Sequence, residues 1–417
     1  MPVTYHRSGF VFTEHTITVP LDHARPDGPV IEVFGREVGA ADRGGRDLPW
    51  LLYLQGGPGH SAPRSPVAWL RRATRDYRVL LLDQRGTGRS TPANRRSLAR
   101  LDDPAAYLRH FRADSIVRDA ELFRAHLAGD RPWSVLGQSF GGFCALTYLS
   151  LAPEGLREVM IAGGLPSLTA GPEEVYRAAY PRVLAHNDRF FARYPEDLAV
   201  ARRVADHLGR CEELLPGGGR LTPRRFQSLG ITFGVESTFD TLHHLLEEAF
   251  ADEKTLSDVF LRRVDALVSY TEYPLYALLH EAAYCQGAAS GWAAHRVLGE
   301  FPEFDVELGG QVRFFGEMIF PWHFEEDSAL VPLRACAEEL AACRSWPALY
   351  DPDRLARNEV PVSAVIYYDD MYVDRDHSLR TAGMVRGLTW WITNEYAHDG
   401  LKADAGVLDR LIAMARR

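Results

Sequence analysis

Apolar and polar positions follow two periods along this chain. In "FVFTEHTITVP", starting at Phe10, apolar residues alternate with polar ones, the pattern of a half-buried strand. A second strand-like run, "VIEVFGREV", follows a Pro/Gly turn. The runs "LPWLLYLQ", "YRVLLLD", "WSVLGQ" and "EVMIAGG" are different: each is short, almost continuously apolar and closed by Gly, Asp or Gln. Such runs suit strands covered on both faces, as in a parallel sheet. Helical spacing appears between them. In "SIVRDAELFRAHL", Ile116, Ala120, Phe123 and Leu127 fall on one face. Strands alternating with helices predict an α/β fold.

The pattern changes near residue 166. From there to about residue 345 the sequence is mostly helix-like, as in "TLHHLLEEAF" and "YPLYALLHEAAY". Strand-like runs then return in "VPVSAVIYY" and "LTWWITNEY", with the helical "SLRTAGMVRGL" between them and the amphipathic "AGVLDRLIAMA" near the end. The economical organisation is one α/β core, residues 1–165 and 346–417, interrupted by a helical insertion at 166–345.

Composition narrows the function without naming it. At 417 residues, 46% hydrophobic and 25% charged, the chain reads as an ordinary soluble protein. A net charge of −9 argues against nucleic-acid binding, which needs a basic surface. No apolar stretch approaches the length of a membrane span, and "MPVTYHRSGFVFTEH" lacks the basic head and apolar core of a secretory signal. The five cysteines, Cys144, Cys211, Cys285, Cys336 and Cys343, are odd in number and form no C-x-x-C pair. That suggests a reduced, cytoplasmic protein without a structural zinc site.

The stretch "VLGQSFGG" carries the first chemistry. Gly137-Gln138-Ser139-Phe140-Gly141 fits G-x-S-x-G where a predicted strand gives way to a predicted helix. This is the context of a nucleophile elbow, a turn so sharp that glycine must flank the serine. A serine hydroxyl needs a base, and the base needs an orienting acid. In α/β-hydrolases both follow at the ends of later strands, in the order Ser, Asp, His. "VIYYDDMYVD" offers Asp370, with Asp369 and Asp374 as alternatives, and "WWITNEYAHDG" offers His398. The oxyanion of an acyl-transfer transition state needs N–H donors. The backbone of Phe140 is one candidate, and that of Gly57 in the loop "LQGGPGHS" is the other. "DQRGTGRS" looks superficially like a phosphate cradle. It lacks the Lys-Ser/Thr ending of a Walker loop and the third glycine of a dinucleotide fingerprint, so it reads as a structural loop beside the site.

Together "GGPG", "DQRGTGRS", "GQSFGG" and "NEYAHDG" resemble the prolyl aminopeptidases (proline iminopeptidases), serine peptidases of the α/β-hydrolase fold. The resemblance covers core and insertion. It departs from the family where Gln55 precedes GGPG, a place the family often gives to His. It implies release of an N-terminal proline, or a similar small residue, from peptides. It also implies a helical cap carrying glutamates for the substrate's free amine. Glu281 in "LLHEAAYCQG" and Glu317 in "FFGEMIFPW" look similar to those glutamates, and Tyr284, Phe320 and Trp322 could bound a proline ring. A peptide α-amine with a pKa of about 7.7–8.0 is largely cationic at neutral pH, so a carboxylate suits it.

The expected mechanism is therefore acyl transfer by Ser139, His398 and Asp370, with no metal or organic cofactor. A general esterase or amidase with the same triad is the alternative enzyme reading. A non-catalytic binding protein of the same fold is the alternative class.

Overall fold

The computed structural model describes residues 3–43, 47–235 and 237–416. Its centre is a nine-stranded sheet. In chain order the strands are β1 (Val3–Arg7), β2 (Phe10–Pro20), β3 (Val30–Ala40), β4 (Trp50–Leu54), β5 (Arg78–Asp83), β6 (Trp133–Gln138) and β7 (Leu156–Ala162). Two-residue strands β8 (Glu213–Leu214) and β9 (Arg220–Leu221) pair only with each other, and β10 (Val362–Tyr367) and β11 (Leu388–Thr393) complete the large sheet. The spatial order is β1-β2-β3-β5-β4-β6-β7-β10-β11. The first three strands are antiparallel, and β3 meets β5 antiparallel. From β5 to β11 every neighbour is parallel.

The near-continuous apolar runs are the parallel strands, and the pleat explains why both faces are apolar. Successive residues of β4 point to opposite sides. Leu52 and Leu54 join one core with Val135, Ile161 and Ile366, while Leu51 and Tyr53 join the opposite one with Leu136, Met160 and Val365. The helix Ala113–Ala128 lays Ile116, Ala120 and Phe123 on the first core, with Leu127 half-buried at its rim. The C-terminal helix Gly406–Ala415 covers the other face through Val407, Leu408 and Leu411. β11 differs from the inner parallel strands in having one face uncovered. As the edge strand it leaves Trp390 and Ile392 exposed. Strand β1 carried no clear signal, because only Val3 of its five residues is aliphatic and that side chain is exposed.

Between β7 and β10 the chain is helical apart from the β8–β9 pair. The helices Pro172–Arg193, Asp197–Arg210, Thr238–Glu247 and Asp258–Val268 close around a second, aromatic-rich core containing Tyr180, Phe190, Phe233 and Phe314. The stretch from Leu275 to Cys285 packs instead against the core of the sheet. The two cores meet at the strand ends, where Met371, just past β10, belongs to the helical one.

The "DQRGTGRS" loop is structural, as its sequence suggested. The Arg85 guanidinium is fully buried and bidentate on Asp119, at 2.7 and 2.6 Å. It also donates to the carbonyls of Pro20, Leu21 and His110. Next to it, Gln84 Nε2 donates to the Gln55 carbonyl at 3.0 Å, which fixes the start of the "GGPG" loop. Removing one partner of a buried pair strands the other charge. Asp119→Ala should therefore lower stability by about 3–5 kcal/mol in equilibrium urea unfolding. A loss under about 1 kcal/mol would mean that the three carbonyls suffice to hold Arg85.

Candidate active site

Ser139 lies between the end of β6 and the helix Phe140–Leu151, at φ 54° and ψ −126°. A non-glycine residue held there costs about 1–3 kcal/mol and persists only where its surroundings force it. Close contact supplies that force. A Cβ on Gly137 would come within 2.3 Å of the Gly141 carbonyl oxygen, and one on Gly141 within 1.9 Å of the Leu54 oxygen. The glycines around the serine thus let helix, elbow and strand β4 meet backbone to backbone. The elbow is further tied by Ser139 N–H to the Ala162 carbonyl at 3.0 Å and Gly142 N–H to the Ser139 carbonyl at 2.7 Å.

The three candidate acids separate cleanly. Asp370 is buried, and its Oδ2 accepts from His398 Nδ1 at 2.7 Å. Its Oδ1 accepts from the N–H groups of Tyr372 and Val373 at 2.8 and 3.0 Å. Asp369 is exposed and pairs with Arg189, while Asp374 caps the helix Arg375–Met384 and pairs with Arg182. Only Asp370 of the three reaches the histidine.

His398 is held from both cores. Its backbone N–H donates to the Gly234 carbonyl at 2.8 Å, and the Tyr372 ring meets it edge-on at 4.9 Å. Burial disfavours its cation, but the Asp370 charge and hydrogen bond, aided by Glu317, outweigh this and raise its pKa above the ordinary value. With Nδ1 donating to Asp370, Nε2 is the nitrogen free to accept a proton. Ser139 and His398 line one cavity of about 630 Å³, together with Gly57, Tyr276, Glu317 and Tyr372. Among the described residues no hydrogen bond joins Ser139 to His398. Such bonds are often long before substrate binds.

A small recess of about 10 Å³ opens beside Ser139, lined by Gly57, Phe140, Phe143, His280, Tyr284 and Glu317 among others. Gly57 and Phe140, the candidate oxyanion donors, thus both border the serine. Tyr284 also lies here, with its ring 5.8 Å from that of Phe143. Glu317 is half-buried and borders both spaces, and its Oε1 accepts from Tyr276 Oη–H at 2.7 Å.

The structure does not bring the remaining candidates to the serine. Glu281 is buried, but it lines neither of the spaces that Ser139 borders. Its carboxylate accepts from the N–H groups of Ala293 and Ala294 at 3.2 and 2.9 Å, at the start of the helix Ala293–Leu298. Burial raises its pKa, against those hydrogen bonds. Both oxygens are spent on a helix N-terminus, which explains a buried acid without any ligand. Phe320 and Trp322 stack on each other at 5.1 Å inside the helical core. They lack access to the cavity because their faces are already covered.

Sequence reasoning missed several cavity residues. Tyr276 and Tyr372 sit in helix-like or loop stretches whose aromatics read as core. His60, two residues beyond Pro58, stacks on Tyr276 at 5.4 Å, and burial drives its pKa down to about 4. The histidine after "GGPG" was the available signal for it.

The arrangement can perform acyl transfer: a strained serine bordering a cavity, an imidazole with one nitrogen free, a carboxylate fixing that imidazole, and backbone amides beside the hydroxyl. The α/β hydrolase fold family model matches residues 49–229. The chain is 51% identical over 421 residues to a proline iminopeptidase of Aeromonas sobria, covering 100% of this chain and 99% of that one. It is 37% identical to the proline iminopeptidase aneH of Aspergillus aculeatus, covering 96% of this chain and 93% of that one.

The ionic hold on His398 can be measured directly. Its pKa, followed by ¹⁵N-histidine NMR, should lie above the ordinary 6.5, so the neutral, proton-accepting form is lost as pH falls through that raised value. In Asp370→Asn the pKa should drop below 6.5, because burial then acts without its counter-charge. An unchanged pKa in the variant would remove Asp370 from this role.

Proposed function

The chain belongs to the proline iminopeptidase family, and on that footing we propose how its residues release an N-terminal proline, or a similar small residue, from a peptide. The enzyme is a serine hydrolase of the peptidase class. Ser139 Oγ attacks the carbonyl of the first residue. His398 Nε2 takes the hydroxyl proton and passes it to the leaving amine. Asp370 holds the imidazole tautomer and stabilises the cation. The N–H groups of Phe140 and Gly57 receive the oxyanion. Water, activated by the same histidine, then hydrolyses the acyl-enzyme.

The observation that carries the exopeptidase reading is Glu317, a half-buried carboxylate bordering both the serine's cavity and its recess. Tyr276 engages one of its oxygens, and the other makes no hydrogen bond among the described residues. A peptide's cationic amine suits that oxygen. The recess, with room for about one water, leaves no space for a long side chain. The larger cavity takes the rest of the peptide. In this reading the helical segment, set at residues 166–345 from the sequence, serves as a cap that contributes Glu317, Tyr276 and Tyr284. Glu281 supports the cap without touching substrate. The five free cysteines fit a reducing, cytoplasmic setting, and no helix among the described residues is long and apolar enough to cross a membrane.

Ser139→Ala should abolish hydrolysis of proline 4-nitroanilide while far-UV circular dichroism stays unchanged. More than a few per cent of residual activity would exclude Ser139 as the nucleophile. Glu317→Gln should lower kcat/KM for the same anilide by about 30- to 150-fold and leave a small acyl ester nearly untouched, since the ester has no amine to lose. Glu281→Gln should instead lower the melting temperature and, in the protein that remains folded, affect anilide and ester alike. An anilide-selective loss in Glu281→Gln would return that residue to the amine site.

A further inference from the structure

His280 ends the helix Pro274–Leu279 and begins the turn that carries Tyr284. It is 2% exposed, and among the described residues neither of its ring nitrogens has a hydrogen-bond partner. Buried imidazoles are normally satisfied. The other buried histidines here follow that rule: His15, His186, His323, His377 and His398 each have at least one ring-nitrogen hydrogen bond. The His280 ring is wedged between aromatics, 5.0 Å from Tyr276 and edge-on to Tyr284 at 5.6 Å. It forms part of the recess wall with Ser139, Phe140 and Glu317. Burial lowers its pKa and holds it neutral, opposed by the Glu317 charge and by an approach of the ring to the Glu317 backbone that falls short of hydrogen-bond geometry. A neutral imidazole always presents one nitrogen as an acceptor.

We propose that His280 is a second acceptor for the substrate's N-terminal amine, acting with Glu317. This rests on the reading that the site binds an N-terminal proline. The ammonium of such a residue is secondary and carries two N–H groups. Both residues border the recess, and each has an acceptor without a partner: the free oxygen of Glu317 and a buried ring nitrogen of His280. An orphaned buried nitrogen is thereby satisfied only when substrate is present. The two acceptors also divide the work. Glu317 supplies charge, and His280 supplies direction, because a ring wedged between two aromatics has one orientation in which to accept. A substrate whose amine is acylated or alkylated brings fewer N–H groups and leaves the imidazole unpaired.

The test is a cycle between enzyme and substrate. His280→Phe keeps a ring and removes both nitrogens. Its kcat/KM should fall about 10- to 100-fold for proline 4-nitroanilide. For N-methylproline 4-nitroanilide, which has lost one N–H, the same substitution should cost less than about 3-fold, so the two changes are not additive. Equal losses on both substrates, or no loss on the first, would overturn the proposal. An unmutated enzyme inactive on proline 4-nitroanilide would instead refute the function on which it rests. Should His280→Phe not fold, ¹⁵N-histidine NMR of the unmutated protein decides. Added L-proline should shift one His280 ring nitrogen in the direction of hydrogen-bond acceptance. Binding of L-proline with no change at His280 would exclude the contact.

Discussion

Everything at this site hangs on the backbone contact between the elbow helix and strand β4. With Gly141 against the Leu54 carbonyl, the helix Phe140–Leu151 starts directly on the sheet, and Ser139 is driven into a conformation that side chains rarely adopt. A methyl group at that contact would push the helix outward and let the serine relax. The strain is therefore sustained by packing spread over β4, β6 and β7 and needs no special property of the serine. The same contact sets the neighbouring parts. The "GGPG" loop leaves the end of β4, so its glycines stand beside the serine because β4 and the elbow touch.

The parts that could be read from sequence share one property: their chemistry is local. A strand buried on both faces writes a continuous apolar run, and an elbow writes its glycines. An acid and a histidine after successive strands write their order. Within "YYDDMYVD" the sequence could order the acids only by position. The structure separates them by what each touches, since Asp374 is used as a helix cap and Asp369 faces solvent.

The illegible parts depend on long-range contacts. Glu281 and Glu317 look alike as letters, each an acid in a helix-like, aromatic-rich stretch. One meets the N-terminus of a helix twelve residues onward, and the other meets the serine's cavity. No local pattern distinguishes those fates. Phe320 and Trp322 failed as ring-binding candidates for the same reason: an aromatic's exposure is decided by what folds over it. Tyr276, His280 and Tyr372 were missed because they read as core, and in burial they nearly are core. Tyr276 is joined to the site by its hydroxyl on Glu317, Tyr372 by its ring against His398, and His280 by its place in the recess wall.

Asp370 and His398 are anchored in two hydrophobic interiors at once. Asp370 is followed by Met371, which belongs to the helical core, and His398 is tethered to Gly234 in the same helical segment. Tyr372 spans the junction, its hydroxyl bonded to the Ile231 carbonyl and the Gly234 N–H. The helical segment is consequently no detachable module. Exchanging it for another segment, a natural plan for redesign, would discard part of the scaffold that holds Asp370 and His398 together. Any such graft must carry the Ile231–Gly234 turn with it, because that one turn holds both the Tyr372 hydroxyl and the His398 backbone.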